Sequence, residues 1–328
     1  MLHLVRKLAQ YLVALWVALT LNFALPRLLP GNPVDTVLSK LQQQGPVDPE
    51  SRRALEVLFG GTGGPWWRQY LDYLDGIVHG DLGTSVTYFP TPVTTVIAQS
   101  LPWTLVLVGT VTVLTFVLGT ALGMIAGWRR GTWIDSLIPV TTVLQSIPYF
   151  WVALIFLYIF GVTLGWFPIS GGYDSNVYVP EPTVAFLGSA VQHAILPALT
   201  IVVSAIGGWM LGMRNMMVAV RSEDYVVAAE AKGLRPWRVM TAYAARNAVL
   251  PSVAGFAISL GFVVGGSLVM EQVFSYPGIG RAMLQAVSNS DYALMQGLFL
   301  VITVSVLAAN LVVDVLYGLI DPRTRVHA

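Results

Sequence analysis

The sequence predicts an all-α integral membrane protein with six transmembrane helices. Three observations carry that reading. Of 328 residues, 55% are hydrophobic and 11% are charged, against about 25% charged in soluble domains. Six apolar runs are long enough to cross a bilayer core, which takes about 20 residues in helical form. The basic residues are divided unevenly among the segments joining those runs.

The first run covers about Leu8 to Leu25. Arg6 and Lys7 precede it, as in a secretory leader, but Leu25-Pro26-Arg27-Leu28 lacks a small-x-small cleavage pattern. Residues 1–30 therefore read as a retained transmembrane helix, followed by an extracytoplasmic segment over residues 31–99. The second run has no charge from Leu101 through Trp128. The third runs from about Leu137 to Phe160, the fourth from Ala194 to Met213, and the fifth from Val249 to Met270. The sixth fills the window between Asp291 and Asp314, so residues 100–328 hold a five-helix core. Backbone polar groups in lipid are satisfied only in helices or closed barrels. These runs lack the alternation of barrel strands. Gly119, Gly123, Pro139, Pro148, Pro197, Gly261, Gly265 and Gly266 within them read as close packing and kinks.

Orientation follows from lysine and arginine. With the N-terminus inside, 12 of the 18 basic residues lie in inside segments, among them Arg129, Arg130, Arg214, Arg221, Lys232, Arg235, Arg238 and Arg246. Five of the six outside lie in the long first loop, which weighs little in the rule. Both termini are expected in the cytoplasm.

The extracytoplasmic segment has two short amphipathic stretches, near Glu50–Phe59 and Trp66–Val78. Gly60–Gly64 is a linker, since no Gly-Lys-Ser/Thr follows it. The chain has no cysteine, and His3, His79, His193 and His327 offer no metal-ligand spacing. A net charge of +1 gives no electrostatic case for nucleic acid. No catalytic, cofactor-binding or metal-binding cluster is visible.

The informative stretch is the inside loop within residues 214–248, above all Asp224 onward. It reads as two short helices. The first has an acidic start at Asp224 and a basic end at Lys232, which suits the helix dipole. Gly233 fits the left-handed position that stops it. Pro236 starts the second helix, where its missing N–H costs nothing. On the first helix Tyr225, Ala228, Ala229 and Lys232 share one face by three- and four-residue spacing. The paired alanines make that face flat and suited to a groove on another protein. A helix-turn-helix for DNA has a similar outline, but this one is tied at both ends to membrane spans.

Among intramembrane polar residues, Gln145 in the third run is the pathway candidate, with an interhelical hydrogen bond as the competing role. Glu271 reads as solvated at the outside end of the fifth run. Asn310 and Asp314 read as holding the inside end of the sixth.

The loop string Ala228-Ala229-Glu230-Ala231-Lys232-Gly233-Leu234, then Arg246-Asn247-Ala248-Val249-Leu250-Pro251, resembles the inner-membrane permeases of binding-protein-dependent ABC importers. The longer spacing is that of the dipeptide, oligopeptide and nickel branch. The broader family's leading glutamate falls at Val227, where this chain departs. Leu29-Pro30-Gly31-Asn32-Pro33, Gly80-Asp81-Leu82-Gly83-Thr84-Ser85, Phe274-Ser275-Tyr276-Pro277-Gly278-Ile279-Gly280 and Asp321-Pro322-Arg323 extend the likeness over nearly the whole chain.

The resemblance implies a type I importer permease fold in a bacterial cytoplasmic membrane. It implies a homologous second permease, two ATPase subunits carrying ATP and Mg, and an extracytoplasmic solute-binding protein. It makes Tyr225, Ala228, Ala229, Glu230, Ala231, Lys232, Gly233 and Leu234 the ATPase-coupling helix. The implied cargo is di- or oligopeptide, with oligosaccharide or nickel as alternatives. A secondary transporter or channel is the competing class; it would show paired intramembrane charges or broken helices in two matching halves.

Overall fold

The computed structural model describes residues 2–28, 33–42, 48, 50, 53–54 and 65–320, with side chains placed between residues 9 and 311, Pro33 and Lys40 excepted. The stretch near Glu50–Phe59 (but for residues 50, 53 and 54), the Gly60–Gly64 run, the 29–32 string, the 321–323 string and the side chain of Asp314 lie outside the described residues. Within them regular structure is helical, apart from one isolated bridge between Thr84 and Pro92.

In chain order the helices are α1 (Leu2–Leu28), α2 (Pro33–Gln42), α3 (Trp66–His79), α4 (Val93–Trp128), α5 (Leu137–Ser146) and α6 (Tyr149–Phe156). Then come α7 (Val184–Val220), α8 (Asp224–Ala231), α9 (Pro236–Arg238), α10 (Ala245–Ala248) and α11 (Leu250–Phe262). The last three are α12 (Leu268–Val273), α13 (Ile279–Ser288) and α14 (Tyr292–Ile320). Five stretches are long and apolar enough to cross a membrane: Ala9–Leu28, Val93–Trp128, Val184–Val220, Leu250–Val273 and Tyr292–Leu311.

The third expected span is not one helix. α5 and α6 meet at an angle of 98°. Pro148 is the cause. Its ring disfavours the helical region for the residue before it, and Ile147 is extended at φ −78°, ψ 129°. Pro148 is extended too, at ψ 124°, and has no N–H to continue the ladder. Pro139, by contrast, sits in the first turn of α5, where an N–H is spare anyway. After α6 the chain widens into a π-helix, Leu157–Thr163. The pair is thus a broken span or a re-entrant loop, and not the continuous span of the sequence reading.

The fifth span is interrupted as well. A 3₁₀ turn at Val263–Gly265 is followed by Gly266 at φ 67°, a left-handed position that glycine adopts without strain. The short α12 then buries Glu271 fully. The expectation of a solvated Glu271 is therefore wrong: its neighbours Met270 and Phe274 pack with Ala153 and Leu196, and Glu271 is enclosed by protein. Burial, and then the charge of Glu271, push the phenol of buried Tyr276 well up.

The chain forms two compact units, one of Met1–Thr104, Val264–Leu268 and Pro277–Ala328, the other of Leu105–Val263 and Val269–Tyr276. In the first, α1 packs along α14. The amphipathic α13 buries Ile279, Ala282, Met283 and Ala286 against the start of α4 (Val93, Val96, Ile97) and α14 (Leu294, Met295, Leu298). The Ile279 N–H donates to buried Thr104 Oγ1 at 2.8 Å. The loop carrying Gly80–Ser85 closes on itself: Asp81 Oδ1 accepts from Gly83 N–H at 2.9 Å, and Gly83 O accepts from Val93 N–H at 3.0 Å.

In the second unit, α4 meets α7 along a stripe of glycines. A Cβ at Gly119 would lie 2.6 Å from Trp209 Cβ, one at Gly123 2.3 Å from Met210 O, and one at Gly127 2.6 Å from Met217 Cβ. Four-residue spacing puts all three on one face, and small residues are what let membrane helices approach this closely. Phe116 stacks on Phe256 at 4.3 Å and meets Trp209 edge-on. α5 also packs on α7, where a Cβ at Gly207 would lie 2.6 Å from Thr141 O.

Candidate functional site: a short helix seated on the end of α7

α8 covers Asp224–Ala231, close to the helix expected from sequence. Glu223 and Asp224 stand at its start, where negative charge suits the dipole. Its stop is a complete Schellman motif. Leu234 N–H donates to Ala229 O at 3.4 Å and Gly233 N–H to Glu230 O at 2.9 Å. Gly233 takes φ 71° with no atom within 4 Å of an added Cβ, so the need for glycine here is conformational and not steric.

The helix is seated by Val226 (0% exposed) and Ala229 (3% exposed). They join Met213 and Met217 of α7, with Trp128 at the end of α4 and Leu234 beside them. Val239, Met240, Ala244, Ala245 and Ala248 complete the cluster. Full burial of one such valine side chain is worth about 1.5–3 kcal/mol, enough to hold an eight-residue helix that would not persist alone.

This corrects the expected face. Ala229 is turned into the chain's own core, so it does not share an outward surface with Tyr225, Ala228 and Lys232. At roughly 100° per residue, the side opposite Val226 and Ala229 carries Asp224, Val227, Ala228 and Ala231. All four are exposed, Val227 at 51%. Tyr225 and Lys232 flank this face on one side and Glu230 on the other, also exposed. Leu234 is half-buried against the cluster. The outward surface is therefore small and apolar with charge at its rim, and the inward pair was legible in the i, i+3 spacing of Val226 and Ala229.

The following segment is a helical run with a π-helix at Val239–Ala244 between α9 and α10. Pairing alone did not reveal it; such widenings recur at functional positions. Arg235, Trp237, Arg238 and Arg246 are exposed around it, Trp237 at 65%.

Two side chains brace the support beneath α8. Arg221 donates to Trp128 O at 3.0 Å and lies 5.2 Å over the Trp128 ring. It thereby fills an acceptor at the C-terminal end of α4, where a cation is favoured. Arg214 Nε donates to Asp135 Oδ1 at 3.2 Å, while Asp135 Oδ2 accepts from Gly131 N–H at 3.0 Å. The Gly131 hydrogen bond, then Arg214, hold the Asp135 carboxyl below the usual carboxylate range. Neither contact was visible in sequence, since each joins segments about 80 to 90 residues apart.

Gln145 lies in the last turn of α5, next to the break. It is exposed and makes no hydrogen bond among the described residues, so the competing interhelical bond is not formed. Its Nε2 faces Gly208 of α7, where an added Cβ would lie 3.1 Å away. His193 Nδ1 sits 2.8 Å from Ser189 O on the same helix, and Asn310 is partly buried in α14.

Residues 119–326 match the family described as binding-protein-dependent transport system inner membrane component. A di/tripeptide transport system permease of Pseudomonas aeruginosa is 37% identical over 93% of each chain. An oligopeptide transport system permease of Bacillus subtilis is 32% identical over 92% of each chain. A dipeptide transport system permease of Escherichia coli is 32% identical over 93% of each.

Proposed function

Because the chain belongs to the family of binding-protein-dependent transport system inner membrane components, we propose that it is the membrane-spanning permease of an ATP-driven peptide importer. It works in the bacterial inner membrane, where the family description places its members. The observation that carries the mechanical part is α8. It presents a small apolar surface outward while Val226 and Ala229 fix it to the ends of α4 and α7.

In this reading α8 is the coupling helix. Val227, Ala228 and Ala231 fit a groove on an ATPase subunit, with Tyr225, Glu230 and Lys232 at the rim. Rim ion pairs are worth at most about 1 kcal/mol each, so shape decides the fit. Force on α8 passes through Met213 and Met217 into α7, and through Trp128 into α4. ATP and Mg sit on the ATPase chains. A second, homologous permease and an extracytoplasmic binding protein complete the assembly. Both termini lie in the cytoplasm, residues 31–99 outside, and residues 100–328 form the core, in line with the distribution of basic residues.

The break at Ser146–Pro148 bears on the pathway. α5 rises about 15 Å before it, which is half the thickness of a bilayer core. Non-helical backbone at that depth is tolerated only inside protein or beside water. Residues 145–151 are exposed on this chain. Gln145 and this turn therefore face the second permease or the solute pathway, and not lipid.

The test is co-expression with the ATPase and partner permease. Cysteine crosslinking from Ala231→Cys should capture an ATPase chain, and uptake of a labelled dipeptide should require ATP. Crosslinks from Ala231→Cys to extracytoplasmic protein alone, or uptake by this chain without any ATPase, overturns the reading.

A further inference from the structure

α3 divides lengthwise into three sectors, at roughly 100° per residue. Gln69, Tyr70, Tyr73, Gly76 and Ile77 lie toward the body of the first unit. Tyr70 OH is 2.8 Å from Thr20 Oγ1, the rings of Tyr70 and Tyr73 lie 5.1 and 5.7 Å from Phe23, and Gln69 Oε1 accepts from Arg27 at 3.5 Å. The outward half is split in two. Trp67, Leu71, Leu74 and Val78 form an apolar strip, with Trp67 51%, Leu71 56% and Val78 82% exposed. Beside it, Arg68, Asp75 and His79 form an ionic strip, Asp75 and His79 lying 3.4 Å apart.

The depth of this helix is set by α1. Its contacts run from Thr20 to Arg27, within the last two-fifths or so of the apolar window Ala9–Leu28. That is about 10 Å of rise at the end of a membrane span, the level at which acyl chains give way to headgroups. Arg27 stands at the same end of the span, its guanidinium folded back along α1, 3.7 Å over the Phe23 ring and donating to Phe23 O at 2.8 Å. Elsewhere on this end of α1, Leu21 is 52%, Leu25 47% and Leu28 78% exposed, as suits a span facing lipid.

We propose that α3 lies along the lipid–water boundary at the Arg27 end of the first span, its occupant being the bilayer surface itself. Trp67, Leu71 and Val78 enter the acyl–headgroup layer, while Arg68, Asp75 and His79 stay in water. An amphipathic helix with one apolar and one ionic flank binds membranes this way, and tryptophan favours that layer. The helix then anchors the extracytoplasmic segment to lipid and fixes where it leaves the membrane. This does not depend on the cargo or on the coupling role of α8.

The chain contains no cysteine, so single nitroxide labels can be placed cleanly. Trp67→Cys, Leu71→Cys, Val78→Cys, Arg68→Cys and Asp75→Cys are labelled in the assembled transporter, its other subunits freed of accessible thiols. The complex is reconstituted in phosphatidylcholine–phosphatidylglycerol vesicles. All five positions are exposed, so folding is not at stake. Labels at 67, 71 and 78 should collide several-fold more with oxygen than with a water-soluble nickel chelate, and those at 68 and 75 the reverse. Equal nickel access at all five places the helix in water and overturns the proposal. Immobile labels at 71 and 78 shielded from both reagents mean a protein partner covers the strip, and overturn it equally.

Discussion

Ser85 Oγ donates to Asp291 Oδ2 at 2.5 Å, joining residues 206 positions apart. Asp291 is fully buried and also accepts from Thr87 N–H at 2.8 Å and Leu294 N–H at 3.0 Å. One carboxylate thus caps α14 and clamps the loop that leads into α4. This explains what the Gly80–Ser85 string does: it shapes a loop whose final serine reaches the start of the last span.

Replacing Asp291 with Ala removes three accepted hydrogen bonds from a buried site. Each orphaned donor costs about 1–3 kcal/mol, so the variant should lose at least about 3 kcal/mol. Ser85→Ala should lose about 1 kcal/mol. Thermal unfolding of the purified complex in detergent reads both. Equal melting of the two variants would reject the clamp.

Gly123→Leu should prevent α4 from seating on α7, because even a Cβ falls 2.3 Å from Met210 O. Overpacking of this kind costs about 1–3 kcal/mol or more. Gly212→Ala, with nothing within 4 Å of an added Cβ, is the control. Folded yield by size-exclusion chromatography should fall for the first and hold for the second.

Gly233→Leu forces a side chain into φ 71° without a clash. The strain of about 1–2 kcal/mol falls on the stop of α8, leaving membrane insertion intact. Uptake should drop sharply while ATP hydrolysis continues, and Gly233→Asn should retain more uptake, since asparagine tolerates this conformation. Normal coupling in Gly233→Leu would remove α8 from the transmission path.

The Asp135 carboxyl is held below the usual range by Gly131 N–H and Arg214. Its folded value is depressed, so its stabilisation is complete above the unfolded pKa of about 3.9. It is lost as pH falls through the folded value. Asp135→Asn should therefore be less stable than the parent between pH 5 and 8, with the gap closing below about pH 4. Melting temperature against pH measures it; a gap that persists at acid pH contradicts the assignment.

Much of the architecture was readable without coordinates. The apolar runs, the Gly233 stop, the Pro236 start and the glycine stripe at 119 and 123 each depend on residues near one another along the chain. The misjudged features are those in which a side chain's environment comes from distant segments. Ala229 looked outward until Met213 and Met217 were placed beneath it. Glu271 looked solvated until Met270 and Phe274 beside it were found packed with Ala153 and Leu196.

By itself the sequence determined which segments are helical and apolar enough to leave water, because the cost of unpaired backbone in lipid acts segment by segment. Only the tertiary structure decided which face of α8 is free and that Asp291 meets Ser85. Those outcomes rest on packing, which is settled by volume and hydrogen-bond geometry between segments that composition and periodicity do not relate.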